Sequence, residues 1–156
     1  MRILLLFSLL CCTSVTVSFG QNQSTYMKTI INTNQAPAPV GPYNQSVRFG
    51  NILFVSGQIA IDPSTNTLPA GLSVEAETEQ VMQNLKAILE EAGLSFEDVL
   101  KVSVFVSDMN NYSKINGVYA KYFQEDTAPA RELVEVANLP KFVQVEISLI
   151  AGFSNQ

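Results

Sequence analysis

Few side chains in this sequence are equipped for chemistry. The 156 residues contain no histidine, and the two cysteines, Cys11 and Cys12, sit in an apolar N-terminal run. Ser-His-Asp triads, Cys-His pairs and His/Cys zinc sites are therefore excluded from the rest of the chain. Acid–base work must come from Glu, Asp, Lys, Tyr or bound water. Past residue 20 only two arginines remain, Arg48 and Arg131. Arg48 precedes a Gly50-Asn51 turn and reads as a solvated turn residue. Arg131 enters an apolar segment on the same parity as Leu133, so it requires an anionic partner if it is buried. Its planar fork suits a carboxylate held through two hydrogen bonds. A salt bridge to Glu135 or Glu146 is the plainer reading, and spacing alone favours it.

Glu146 is the second candidate. In the segment 143–149, Val143, Val145, Ile147 and Leu149 make one face, and Gln144, Glu146 and Ser148 the other. Spacing alone favours a solvated polar row, but a carboxylate held near Arg131 can act as a general base or water activator. Tyr43, after Gly41-Pro42, is either a loop anchor or a site hydroxyl.

Residues 28–33 read as a strand. Pro37, Pro39 and Pro42 then impose an extended loop. Segments 45–49 and 52–56 flank Gly50-Asn51 as a hairpin, and 57–72 is a long loop. Thr78, Val81, Met82, Leu85, Ile88, Leu89 and Ala92 recur at helical spacing, with Ser73 as N-cap and Gly93 as the stop. Residues 100–106 alternate as a strand. Asn110 caps a second helix that carries Tyr112, Ile115, Tyr119, Tyr122 and Phe123 on one face and ends at Thr127-Ala128-Pro129. Segments 131–136 and 143–151 are two further strands. The order β-β-β-α-β-α-β-β predicts an α+β domain, a mixed sheet with two helices packed on one face. If the last two strands pair antiparallel, Glu146 falls near Leu133, one side-chain step from Arg131. Leu53, Phe54 and Val55 are apolar towards both faces, so the open face is expected to be buried against another subunit.

The length fits one domain, and 47% hydrophobic residues suffice for a core. Residues 1–20 follow the pattern of an export signal, with Arg2, an apolar run and small residues before Gln21. That reading predicts a periplasmic or secreted protein, with a flexible lead over 21–27 and a domain over 28–153. Without Arg2 the chain carries 8 basic and 14 acidic residues, a balance that disfavours nucleic acid as a partner. Export would also expose Asn44, which begins an Asn-X-Ser sequon, to glycosylation beside Tyr43.

Several stretches together resemble the RidA/YjgF family of enamine/imine deaminases. They are Gly41-Pro-Tyr-Asn-Gln45, Val55-Ser-Gly-Gln-Ile59, Val102-Ser-Val-Phe-Val106, Pro129-Ala-Arg131, and Val134-Glu-Val-Ala-Asn-Leu-Pro-Lys141 with Val145-Glu-Ile147. The likeness runs from about residue 27 to 153. It implies a chorismate-mutase-like homotrimer with sites in clefts between subunits, hydrolysing short 2-imino acids to 2-keto acids and ammonia without metal or organic cofactor. It further implies that Arg131 binds the substrate carboxylate, Glu146 positions or activates water, and Tyr43 stabilises the bound species. Ser56, Gly57 and Asn116 would line the site. Two departures bear on pocket shape: Glu132 and Leu133 replace a small residue and a cysteine, and Ala128 replaces a bulky residue before Pro129.

Overall fold

The computed structural model describes residues 27–154. Six strands and two helices follow in the order β1 (Lys28–Ile31), β2 (Ser46–Phe49), β3 (Ile52–Gln58), α1 (Val74–Glu91), β4 (Val99–Val106), α2 (Tyr112–Tyr119), β5 (Ala130–Glu135) and β6 (Val145–Gly152). Four single-turn 3-10 segments join them. The element order matches the reading of the sequence. The expected leader, and all but Met27 of the lead, lie outside the described residues.

Helix α1 starts where its spacing predicts. The Ser73 hydroxyl accepts from the Ala76 N–H at 3.2 Å, and Gly93 leaves the helix at φ 74°, a conformation open to glycine at no steric cost. Its buried face of Val81, Met82, Leu85, Ile88 and Leu89 lies on the sheet. Glu77, also buried, accepts from the Gln144 backbone at 2.7 Å and ties the start of α1 to the entry of β6.

The strand order is β1-β2-β3-β6-β4-β5, antiparallel except for the parallel β4–β5 edge pair. The helical face of the sheet is made by Leu53, Val55, Val102, Val104, Ile147 and Leu149, each at most 5% exposed. At about 1.5–3 kcal/mol per fully buried apolar side chain, this layer is the main source of stability. The opposite face is also apolar but uncovered: Ile30, Phe54 and Val134 are all more than two-fifths exposed. Among the described residues no helix is long and apolar enough to cross a membrane.

Two expectations are corrected. Strand β6 does not pair with β5. The chain leaves β4 through α2 and returns parallel to it as β5, in the manner of a β-α-β crossover. Strand β4 therefore stands between β5 and β6, and Glu146 pairs with Phe105 rather than approaching Leu133. The second helix is also shorter than its aromatic periodicity suggests, ending at Tyr119. Its start is displaced as well: Asn111 precedes it without a side-chain cap, and Asp108 caps the 3-10 turn before it. Tyr122 and Phe123 leave the helical path because their rings pack edge-on against Phe96, at 5.1 and 5.2 Å.

Candidate functional site

A cleft of about 380 Å³ opens between the proline-rich loop and the end of β3. Tyr43, Ser56, Gly57 and Glu146 all line it, so four of the residues singled out in the sequence come together there. Its walls are largely apolar, formed by Pro37, Pro39, Val40 and Ile59.

Buried amide side chains hold both lips of this cleft. Gln45, 2% exposed, donates through Nε2 to the carbonyls of Thr33, Ala36 and Pro37, at 3.0, 3.1 and 2.8 Å. Its Oε1 accepts from the Thr33 N–H at 2.6 Å. A loop so rich in proline lacks the N–H groups to pair its own carbonyls, and Gln45 supplies the donors. Asn84 of α1 does the same on the far side, donating to the carbonyls of Ile59 and Ile61 at 3.1 and 3.0 Å.

Glu146 lies at the floor. The pairing of β3 with β6 shifts between Val55 and Gln58, and this irregularity brings Gly57 over the Glu146 carboxylate. A Cβ at position 57 would overlap Glu146 Oε1, so any other residue there would force the carboxylate to move. Glu146 has no ion-pair partner among the described residues, and burial pushes its carboxyl above the usual carboxylate range. The solvated polar row suggested by spacing does not describe it. Ser56 donates to the Asn44 carbonyl at 2.7 Å and fixes the start of the Tyr43 loop. The Tyr43 hydroxyl accepts from the Val40 N–H at 3.3 Å, and its own proton remains available to a ligand.

Arg131 is elsewhere. It pairs with Val102, which pairs with Leu149, and both neighbours point into the helical core. Glu146 pairs with Phe105, which pairs with Val134, on the opposite face. Laterally paired residues share a face, so within one chain the sheet separates Arg131 from Glu146. No carboxylate among the described residues pairs with Arg131, and Glu135 instead accepts from the Met109 N–H at 2.8 Å. Its partners are neutral: Nη1 donates to Asn116 Oδ1 at 2.9 Å, Nη2 to the Tyr112 hydroxyl at 3.3 Å, and the guanidinium stacks 4.7 Å from the Tyr119 ring centre. Burial pushes the Tyr119 phenol up to about 12, and the Arg131 charge pulls in the opposite sense. Three α2 side chains thus orient a guanidinium whose charge is left uncompensated. Such a group is prepared for an anion.

Glu132, on the other side of β5, accepts from the Ser103 hydroxyl and pairs with Lys101 at 3.0 Å. The Ser103 bond holds its carboxyl below the usual range. It faces away from Arg131, as its parity predicts. The spacing of Tyr112, Asn116 and Tyr119 on one helical face was a legible signal for the Arg131 cradle. The sequence places the two tyrosines on one helical face, and Asn116 enters only through the family resemblance.

The fold and the two polar clusters define a small α+β protein with a preformed cleft on one face of the sheet and an oriented guanidinium on the other. Residues 33–153 match the family described as Endoribonuclease L-PSP. A RutC family protein of Synechocystis sp. is 53% identical over 122 residues, which cover 78% of this chain and 94% of that protein. The 2-iminobutanoate/2-iminopropanoate deaminase of Escherichia coli is 46% identical, over 80% of this chain and 98% of its own. Among solved structures, E. coli TdcF with bound serine superposes with a TM-score of 0.75 at 44% identity, over 81% of this chain and 99% of that one. YyfA of Yersinia pestis, a Rid family protein, reaches 0.77 at 43% identity, over 81% and 99%. The chain belongs to this RidA/YjgF family. The comparisons overturn the expectation of export: bacterial and archaeal relatives are matched over 94–98% of their own lengths by about four-fifths of this chain, so the domain accounts for them without a leader.

Proposed function

We propose that the protein hydrolyses short 2-imino acids and their enamine tautomers to 2-keto acids and ammonia. The observation that carries this reading is the Glu146 carboxylate, desolvated and unpaired beneath Gly57 on the floor of a cleft. An imine carbon is already electrophilic, so catalysis needs a held substrate and a placed water more than a strong nucleophile. Glu146, in its ionised form, takes a proton from water as the water oxygen bonds to C2. The C=N π pair moves to nitrogen, which takes the proton that Glu146 accepted. The C2 hydroxyl of the resulting carbinolamine then gives its proton to Glu146, which passes it to the amine; ammonia leaves with the C–N pair as the hydroxyl oxygen becomes the keto oxygen. Tyr43 offers its hydroxyl proton to the developing charge, Ser56 fixes the start of the Tyr43 loop, and Gly57 leaves room above the Glu146 carboxylate.

Arg131, oriented by Asn116, binds the substrate carboxylate in this reading. Because the sheet separates Arg131 from Glu146 within one chain, the reaction calls for Arg131 of one copy to meet the Glu146 cleft of another. The uncovered apolar face with Phe54 and Val134 supports the same assembly, a homotrimer with sites between subunits. TdcF with bound serine supports an alternative, a trimer that binds small carboxylates without turnover. A ribonuclease reading has no support from chemistry, since the chain has no histidine and a net charge of −5.

The test is to generate imino acids of several side chains with an amino-acid oxidase and follow their loss with and without the protein. Acceleration over spontaneous hydrolysis is expected. No acceleration with any of them overturns the deaminase reading and leaves the binding protein.

A further inference from the structure

The turn after β5 breaks a local rule in the wall of the cleft. Pro140 and Lys141 are the central residues of a turn closed by the Phe142 N–H on the Leu139 carbonyl at 3.0 Å. Lys141 has φ 57° and ψ 16°, and Phe142 follows at φ 56°. Proline followed by a left-handed residue is the pattern of a type II turn, which normally places glycine or asparagine in the second position. Here a lysine and then a phenylalanine occupy left-handed backbone in succession. Buried Leu139 and Val143 pin the two ends of the turn and hold it there. Strain of this kind persists where the surroundings over-determine it, and it clusters at sites that bind.

Lys141 also lines the cleft that Glu146 floors, and these two are the charged residues of its lining. The ion pairs among the described residues use Lys86, Lys101 and Lys121, and none uses Lys141. Apolar Pro39, Val40 and Ile59 share the lining with these two charges. A cleft of about 380 Å³ is larger than a three- or four-carbon imino acid fills.

We propose that Lys141 is a second anion-recognition point and that the preferred substrates are dicarboxylic 2-imino acids, whose side chains end in a carboxylate. This rests on the deaminase reading, in which Arg131 takes the carboxylate next to the imine. The distal carboxylate then reaches Lys141. The ammonium also offsets the repulsion that the Glu146 charge exerts on a second anion in the same cleft. The strained turn fixes the direction from which the lysine enters.

The test compares kcat/KM for 2-iminoglutarate, made from L-glutamate with glutamate oxidase, with kcat/KM for 2-iminobutanoate, made with an amino-acid oxidase. The full chain and Lys141→Gln are both measured. In the wild type the ratio favours the dicarboxylic imine. In Lys141→Gln it is expected to fall about 10- to 100-fold, chiefly through KM, as loss of one charge-assisted contact implies. An unchanged ratio overturns the proposal, as does a wild type that hydrolyses 2-iminobutanoate but not 2-iminoglutarate. Lys141→Gly removes the charge while relieving the turn, and a raised Tm together with the same lost preference separates recognition from folding. If neither imine is hydrolysed, the deaminase reading fails by itself. Calorimetric titration with 2-oxoglutarate and 2-oxobutanoate then decides: tighter binding of 2-oxoglutarate that Lys141→Gln abolishes supports the lysine, and equal binding overturns it.

Discussion

The Glu146 cleft and the Arg131 cradle solve opposite problems with opposite means. Glu146 is a charge withdrawn from water without a partner, so its environment raises its affinity for a proton. Arg131 keeps its charge and spends its hydrogen bonds on neutral groups, a side-chain carbonyl and a phenol, with a ring behind it. One region holds a desolvated carboxylate; the other orients a cation and leaves it unanswered. Neither is a complete site, and they lie on opposite faces of one sheet. In the deaminase reading proposed above, the two regions complete one another between copies.

The largest expected effect comes from the cleft. Glu146→Gln keeps shape and removes the proposed base, so kcat/KM for imine hydrolysis should fall about 10²- to 10⁴-fold, while 2-oxobutanoate, the product from 2-iminobutanoate, still binds in a calorimetric titration. Loss of binding as well would make Glu146 a ligand rather than a base.

Arg131→Met should cost about 10²- to 10³-fold, through loss of the carboxylate contact. Mixing tests the division of labour directly. If each site takes Arg131 from one copy and Glu146 from another, refolding the two inactive variants together at equal amounts restores about a quarter of wild-type activity. Recovery of none would place both residues in the same chain's site.

Gly57→Ala is subtler. The added Cβ displaces the carboxylate without touching Arg131, so activity should drop about 10- to 100-fold with carboxylate binding retained. Undiminished turnover would show that the position of Glu146 is not critical.

The smallest effect is on stability. Burial raises the folded-state value of the Glu146 carboxyl above its unfolded value, so at neutral pH the folded protein bears the cost of a desolvated charge. Glu146→Gln should therefore raise Tm at pH 7 by about 1–3 °C. The gain should shrink as pH falls through the raised value and vanish below the ordinary carboxylate range. A gain independent of pH would trace to packing instead. In the wild type the same shift places the acid limb of the rate profile above the usual carboxylate range.

Much of the domain was legible before its structure. The cap at Ser73, the stop at Gly93 and the Gly50 hairpin are local signals, and local signals survive folding. What failed was non-local. Nothing within residues 131–151 shows that β4 will slip between the last two strands, because that choice belongs to the α2 crossover. The error mattered, since it placed Glu146 beside Arg131 when a sheet stands between them. The shortened α2 has a similar cause: Tyr122 and Phe123 keep helical spacing, but Phe96 draws them off the axis. Gln45 carried no periodic signal at all, because its role lies in backbone carbonyls of a loop eight to twelve residues away.

That last residue sets how this surface can diverge. The Gln45 side chain grips only main-chain groups of the loop at Thr33, Ala36 and Pro37, and main-chain atoms are blind to the side chains they carry. The wall of the cleft can therefore change its chemistry residue by residue while its course through space stays constant. One inward-turned amide separates the shape of the cleft from its lining, so the lining can be altered without rebuilding the fold.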